Sequence, residues 1–161
     1  MHRVGQFVAH VRARVEPEET AFVQRLLPKA AVRLFDAMPV ADRRHALDVA
    51  EKILQGGHDD PDLLGAALLH DVAKGHTMRL WHRVAGVLLD AAAPGVLRRL
   101  ASADPRSWRH PFHLYLHHEA LSAVLAVEAG CPPRVGAFIR GEVDGADLAR
   151  LRALAMADDA S

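Results

Sequence analysis

The sequence predicts an all-α fold, a single helical bundle of about seven to eight helices over residues 1–161. Three observations carry this. Alanine and leucine make up close to a third of the chain while isoleucine and threonine are scarce, a mix that favours helix over sheet. Apolar residues recur three and four positions apart, and no segment alternates with the period of a strand. Prolines and glycines fall largely at the ends of these periodic runs, where they start and stop helices.

Each element then follows in order. Pro17 suits the first turn of a helix running to about Leu27, with Glu18 and Glu19 near its positive end, and Pro28 breaks it. A short amphipathic piece from Ala30 to Met38 ends at Pro39. Val40 to Gln55 is next, with Leu47, Ala50 and Leu54 on one stripe and Gly56-Gly57 as its stop. Asp60-Pro61-Asp62 supplies an N-cap, a first-turn proline and a dipole-favoured acid. It opens DLLGAALLHDVAK, a helix apolar nearly all round and therefore central, closed by Gly75. Periodicity resumes at Met78 and again at Pro94. SADPRSWRHPF reads as a loop. HLYLHHEALSAVLAVEAG, PPRVGAFIRGEV and ADLARLRALAMADDA complete the series.

Half the residues are hydrophobic and a quarter charged, and twenty basic residues balance twenty acidic ones. A chain of this length buries a substantial core. The even balance gives no sign of a nucleic-acid-binding stripe or an acidic tail. No apolar run reaches the roughly 18 to 20 residues that span a bilayer, and the N-terminus has no apolar core before a small-residue cleavage site. The single cysteine, Cys131, excludes an intrachain disulfide framework and a cysteine-based zinc site, and fits a cytoplasmic location. Its place before Pro132-Pro133 would activate a thiolate at a helix N-terminus or, more simply, make it a small buried residue.

Eleven histidines are several times the usual number, and their placement is informative. The dipeptide His-Asp occurs twice. His58-Asp59 lies in the Gly-Gly loop and reads as a solvated turn. His70-Asp71 ends the apolar helix, where two ionisable groups are costly unless paired or bound to a metal. Neighbours on a helix point about 100° apart, so the two share an ion only where the helix faces a cavity. His45 lies one turn before Val49 and two before Ile53, so it can face inward. Asp158 ends a helix whose other inward positions are leucine and alanine.

Taken together, His45, His70-Asp71 and Asp158 resemble the HD-domain superfamily of metal-dependent phosphohydrolases. HALDVAEKIL and DLLGAALLHDVAKG look much like that family's first two motif helices, and Lys74 matches the lysine often found after the pair. The resemblance spans about His45 to Asp158 and leaves residues 1–39 outside it. It implies an all-helical fold holding a divalent ion on His45, His70, Asp71 and Asp158. Relatives with two ions add histidines, and His118, five residues before Ala123, resembles the first of these; His117 and His82 are rivals. Where a further histidine is usual, this chain has Glu142, which would ligate through oxygen.

The implied activity is hydrolysis of a phosphoester or phosphoanhydride in a small nucleotide-like substrate by metal-activated water. Asp71 would touch metal and nucleophile. Lys74, backed by Arg43 or Arg44, would hold a phosphate oxygen, and His118 would bind a second ion or act as acid. The ligand set suits Mn, Fe, Co, Ni or Mg. The segment containing His110 and His113 is longer than expected between motifs and reads as shaping a pocket or lid, with both histidines structural or solvent-facing. Trp81 and Trp108 read as core anchors. A homodimer is compatible with the Ala/Leu-rich helices. The competing reading is a non-catalytic helical module of the same fold that binds a nucleotide or protein partner.

Overall fold

The computed structural model describes residues 15–75, 78 and 80–161. Expectations for residues 1–14 and for the start of the helix near Met78 lie outside the described residues. Within them the chain is all-helical, with nine α-helices: α1 Pro17–Leu26, α2 Lys29–Asp36, α3 Val40–Gln55, α4 Pro61–Leu69, α5 Leu80–Ala92, α6 Pro94–Leu100, α7 His110–Glu128, α8 Pro133–Arg140 and α9 Asp147–Asp159. The count passes the expected seven to eight because the short runs after Pro28 and Pro94 are helices in their own right. No described helix is long and apolar enough to cross a membrane.

α4 is the centre. All seven residues from Leu63 to Leu69 are buried, as expected for a helix apolar on every side. Its start is fixed by chemistry read from the sequence: the Asp60 carboxylate accepts from the amides of Asp62 at 3.0 Å and Leu63 at 3.3 Å. The same carboxylate meets Arg134 of α8, which also reaches Asp62 and Asp147. One guanidinium fork therefore ties the starts of α4, α8 and α9 together. α3, with Ala46, Leu47, Val49, Ala50 and Ile53 buried, packs along α4, and α9 packs on both.

The core is one cluster drawn from α1 to α4, the C-terminal half of α7, α8 and α9. α5 and α6 lie outside it and cover the start of α7, where Leu97, Phe112 and Leu114 are buried. α5 meets α7 at Gly86, where an added Cβ would lie 2.7 Å from the Tyr115 ring.

Three local readings are corrected. α4 stops at Leu69, not at Lys74; His70 is its C-terminal cap and Val72–Lys74 form a short 3₁₀ turn. Gly75 leaves that turn at φ 52°, a left-handed conformation that glycine enters without strain. α7 begins at His110, inside the segment read as loop, because Pro111 serves as a first-turn residue rather than a breaker. Trp81 and Trp108 are 52% and 68% exposed rather than core anchors. The core-anchor role at this end falls to Phe112, whose ring edge meets both indoles.

Candidate metal centre

The site forms where α3, the end of α4, α7 and α9 converge. His45 projects from α3, one turn before the buried Val49. His70 and Asp71 stand at the break after α4, and Asp158 is in the last turn of α9. His45 and Asp158 are 113 positions apart in sequence, yet His45 Nε2 lies 2.8 Å from Asp158 Oδ1. His70 Nε2 approaches the same oxygen at 3.4 Å. Ligand atoms of His45, His70 and Asp158 all fall within 4.8 Å of one another, a group that could hold a metal ion.

The helix break answers the difficulty posed by adjacent residues on a helix. Asp71 adopts φ −106° and ψ 3°, the bridge region between helix and extended backbone. That departure turns its carboxylate toward the side His70 faces, and Asp71 Oδ1 lies 3.6 Å from His70 Nε2. From α7, His118 Nε2 approaches that oxygen at 3.8 Å. His70 is thus shared between two groupings, one with His45 and Asp158 and one with Asp71 and His118.

Backbone carbonyls fix the ring orientations. His70 Nδ1–H donates to Ala67 O at 2.9 Å, and His118 Nδ1–H donates to Tyr115 O at 2.9 Å. In the neutral rings the Nε2 lone pairs then face inward, the tautomer a metal ligand needs. Two lone pairs would face the Asp71 carboxylate, which only a cation or a proton reconciles. Lys74 supplies part of that charge. Its Nζ hydrogen-bonds Asp71 Oδ2 at 2.7 Å and comes within 2.6 Å of Oδ1, but off hydrogen-bonding geometry for the latter. Asp71 Oδ1 is buried without a hydrogen bond. An orphaned carboxylate oxygen beside two imidazole nitrogens, with a second His-carboxylate pair adjoining, suits a divalent ion of the first transition row.

Electrostatics point the same way. Burial pulls the His70 imidazolium down, but the Asp158 hydrogen bond and the charges of Asp71 and Asp158 outweigh it, and its pKa is raised. Burial pushes Asp71 up, but His70, Lys74 and His118 overcome this and hold it below the ordinary carboxylate value. Hydrogen bonds from His45 and His70 hold Asp158 far below that value. Burial, reinforced by the Lys74 charge, lowers His118. The site keeps its carboxylates ionised and His118 neutral.

A pocket opens beside the cluster. Its lining includes His70, Asp71, Lys74, His118, Glu119 and Asp158 from the cluster and its surroundings, together with Arg140 and Leu151. Nothing in the local pattern of AFIRGEV marks Arg140 as a pocket residue. The structure does not bring Glu142 to the ion: its side chain is 67% exposed and pairs with Arg140 Nε at 2.7 Å. A turn at Gly141, φ 69°, ends α8 between them.

Other sequence candidates are also placed apart. Arg44 binds Glu19 at 2.5 Å and Asp48 at 2.8 Å, and neither Arg43 nor Arg44 lines the pocket. His82 is buried, stacked on Trp81 and edge-on to Phe112, so it is not a rival ligand. His117 is on the exposed side of α7, away from the lining. No described residue of α5 or α6 is among those lining this pocket. Cys131 is buried and its thiol is pushed up by burial, the behaviour of a packing residue rather than a nucleophile.

Comparison of the chain with protein-family models, with curated proteins and with solved structures gives no match.

Proposed function

We propose that the protein is a metal-dependent phosphohydrolase of the HD type, acting on a phosphoester or phosphoanhydride of a small, nucleotide-like substrate. The observation that carries the reading is the convergence of His45, His70 and Asp158 from distant parts of the chain, with ligand atoms within 4.8 Å. His45, His70, Asp158 and Asp71 would hold the ion. Once bound, it would supply an acidified water and positive charge against the phosphoryl group.

The chain's own residues divide the remaining work. Asp71, ionised and buried, would touch both the ion and the attacking water through its carboxylate. Lys74 holds Asp71 in place and would offer a further N–H to a phosphate oxygen entering the pocket. Arg140, which also lines the pocket, would be a second cation for the phosphate. His118, neutral in the free protein, can orient the nucleophile through Nε2. Leu151 and Ala155 give the pocket an apolar lining against which an aliphatic part of the substrate would pack.

The test combines metal content and turnover. Untagged protein purified without chelator is expected to hold about one transition-metal ion per chain and to hydrolyse some member of a nucleotide and phosphodiester panel with Mn²⁺ or Fe²⁺ added. His70→Ala and Asp158→Asn should each weaken metal binding at least ~100-fold and abolish turnover. Unchanged metal content and rate in both variants would overturn the reading. Lys74 already offsets the Asp71 charge, which specifically favours a site poised to bind. Metal and nucleotide binding without turnover would therefore identify a binding module of the same fold.

A further inference from the structure

α7 carries three more histidines that the pocket does not use. His110, His113 and His117 are spaced three and four positions apart, which places them on one stripe of the helix. Their rings are in sequence contact. His110 and His113 have centroids 5.8 Å apart with planes 23° from parallel, and His113 and His117 have centroids 4.5 Å apart at 46°. Two imidazoles sharing one ion, with nitrogens about 2.1 Å from it, bring their centroids to roughly 4.5–5.5 Å. The His113–His117 pair meets that condition; His110 does not, and the three do not bring their ligand atoms together as His45, His70 and Asp158 do.

Preorganisation reaches past the spacing. His110 Nδ1–H donates to Ser102 O at 3.1 Å, which fixes the tautomer and leaves Nε2 as the free lone-pair donor. The neighbouring cation is already committed: Arg109 Nε donates to Leu100 O at 2.6 Å and its NH2 group to Arg99 O. His117 is exposed and His110 and His113 half-buried, so the stripe is open to ions from solvent.

We propose that His113 and His117, one turn apart on α7, form a second metal site on its surface, taking one borderline divalent ion of the Zn²⁺, Ni²⁺ or Cu²⁺ class through imidazole nitrogens, with His110 flanking the pair. None of the three residues lines the pocket of the first site. The donor sets also differ. The pocket mixes imidazole with carboxylate, whereas the α7 stripe offers imidazole alone and so discriminates strongly against Mg²⁺ and Mn²⁺. Burial, followed by the charges of His117 and His110, lowers the His113 pKa, so its ring is neutral and available at neutral pH. The histidine excess of the sequence thus has two destinations, not one.

Zn²⁺ stoichiometry by equilibrium dialysis of the untagged, full-length chain tests this. Wild type should bind about one more ion than His113→Ala/His117→Ala, with circular dichroism unchanged because alanine suits a helix. In a His70→Ala/Asp158→Asn background about one Zn²⁺ should remain, and it should vanish when the α7 substitutions are added. Mn²⁺ in the same dialysis should not reach the α7 site. Equal Zn²⁺ binding by wild type and His113→Ala/His117→Ala would overturn the proposal. Failure of the pocket reading would instead appear as unchanged binding on His70→Ala/Asp158→Asn alone, so the two outcomes are separable.

Discussion

At the scale of single residues, the centre is a balance of four protonation states. The His70 pKa is raised, so its contribution to stability is full below the ordinary value of 6.5 and is lost as pH rises through the raised one. The His118 pKa is lowered, so its contribution is present above 6.5 and lost as pH falls. His118, joined by the likewise lowered His113, acts below that value and His70 above it, so these groups make the metal-free protein most stable near pH 6.5 and less stable in either direction. Asp71 and Asp158, both lowered, contribute above 3.8 and lose that contribution only in acid. A bound ion needs neutral imidazoles, so its stabilisation has one sign only and grows as pH rises. The increase in melting temperature on adding Mn²⁺ should therefore be larger at pH 8 than at pH 5.5, read by calorimetry against a chelator control. A larger increase at pH 5.5 would contradict the ligand assignment. His70-Asp71 was legible in the sequence because the pair ends an apolar helix, an unfavourable place for charge, whereas His45 and Asp158 were legible only through the family resemblance. The geometry of the pair was not legible, because periodicity carried α4 through to Lys74, whereas the chain leaves the helix at His70 and only then can Asp71 turn.

Among elements, start signals were legible and interactions between helices were less so. Asp60 announced itself as a cap, but nothing near Arg134 marked it as the residue that would join Asp60, Asp62 and Asp147. Long-range pairing of this kind depends on which faces meet, and one sequence does not encode that locally. The same holds for α5. Its apolar period is plain, yet its partner is set by Gly86, where a missing side chain admits the Tyr115 ring of α7. Gly86→Ala would place Cβ 2.7 Å from that ring and 2.9 Å from its inner carbon, so the ring must turn rather than merely flex at its tip. A loss of about 1–3 kcal/mol is expected despite alanine's better helix propensity. Urea titration checks this, and a neutral or stabilising result would mean that α5 does not pack there.

For the molecule as a whole, the all-α architecture followed from composition and period, and the single core from the uninterrupted apolar face of α4. Leu68, in the last turn of α4, is fully buried. Leu68→Ala should cost about 2–5 kcal/mol, a large part of the ~5–15 kcal/mol that holds a domain of this size, with the denaturation midpoint lowered and its slope unchanged. A changed slope would mean that the core unfolds in parts. The position of α9 has a further consequence. Leu154 and Ala157 are the only residues it buries fully, and its C-terminal end is tied to α3 by Lys52, through Ala160 O and Ser161 Oγ, and by the His45–Asp158 pair. An ion across that pair would clasp a loop of 113 positions, so it would penalise the open chain as a reversible cross-link does. Occupancy would then be visible to a protease: with chelator, trypsin should cut first at Arg150 or Arg152, and the loaded chain should resist.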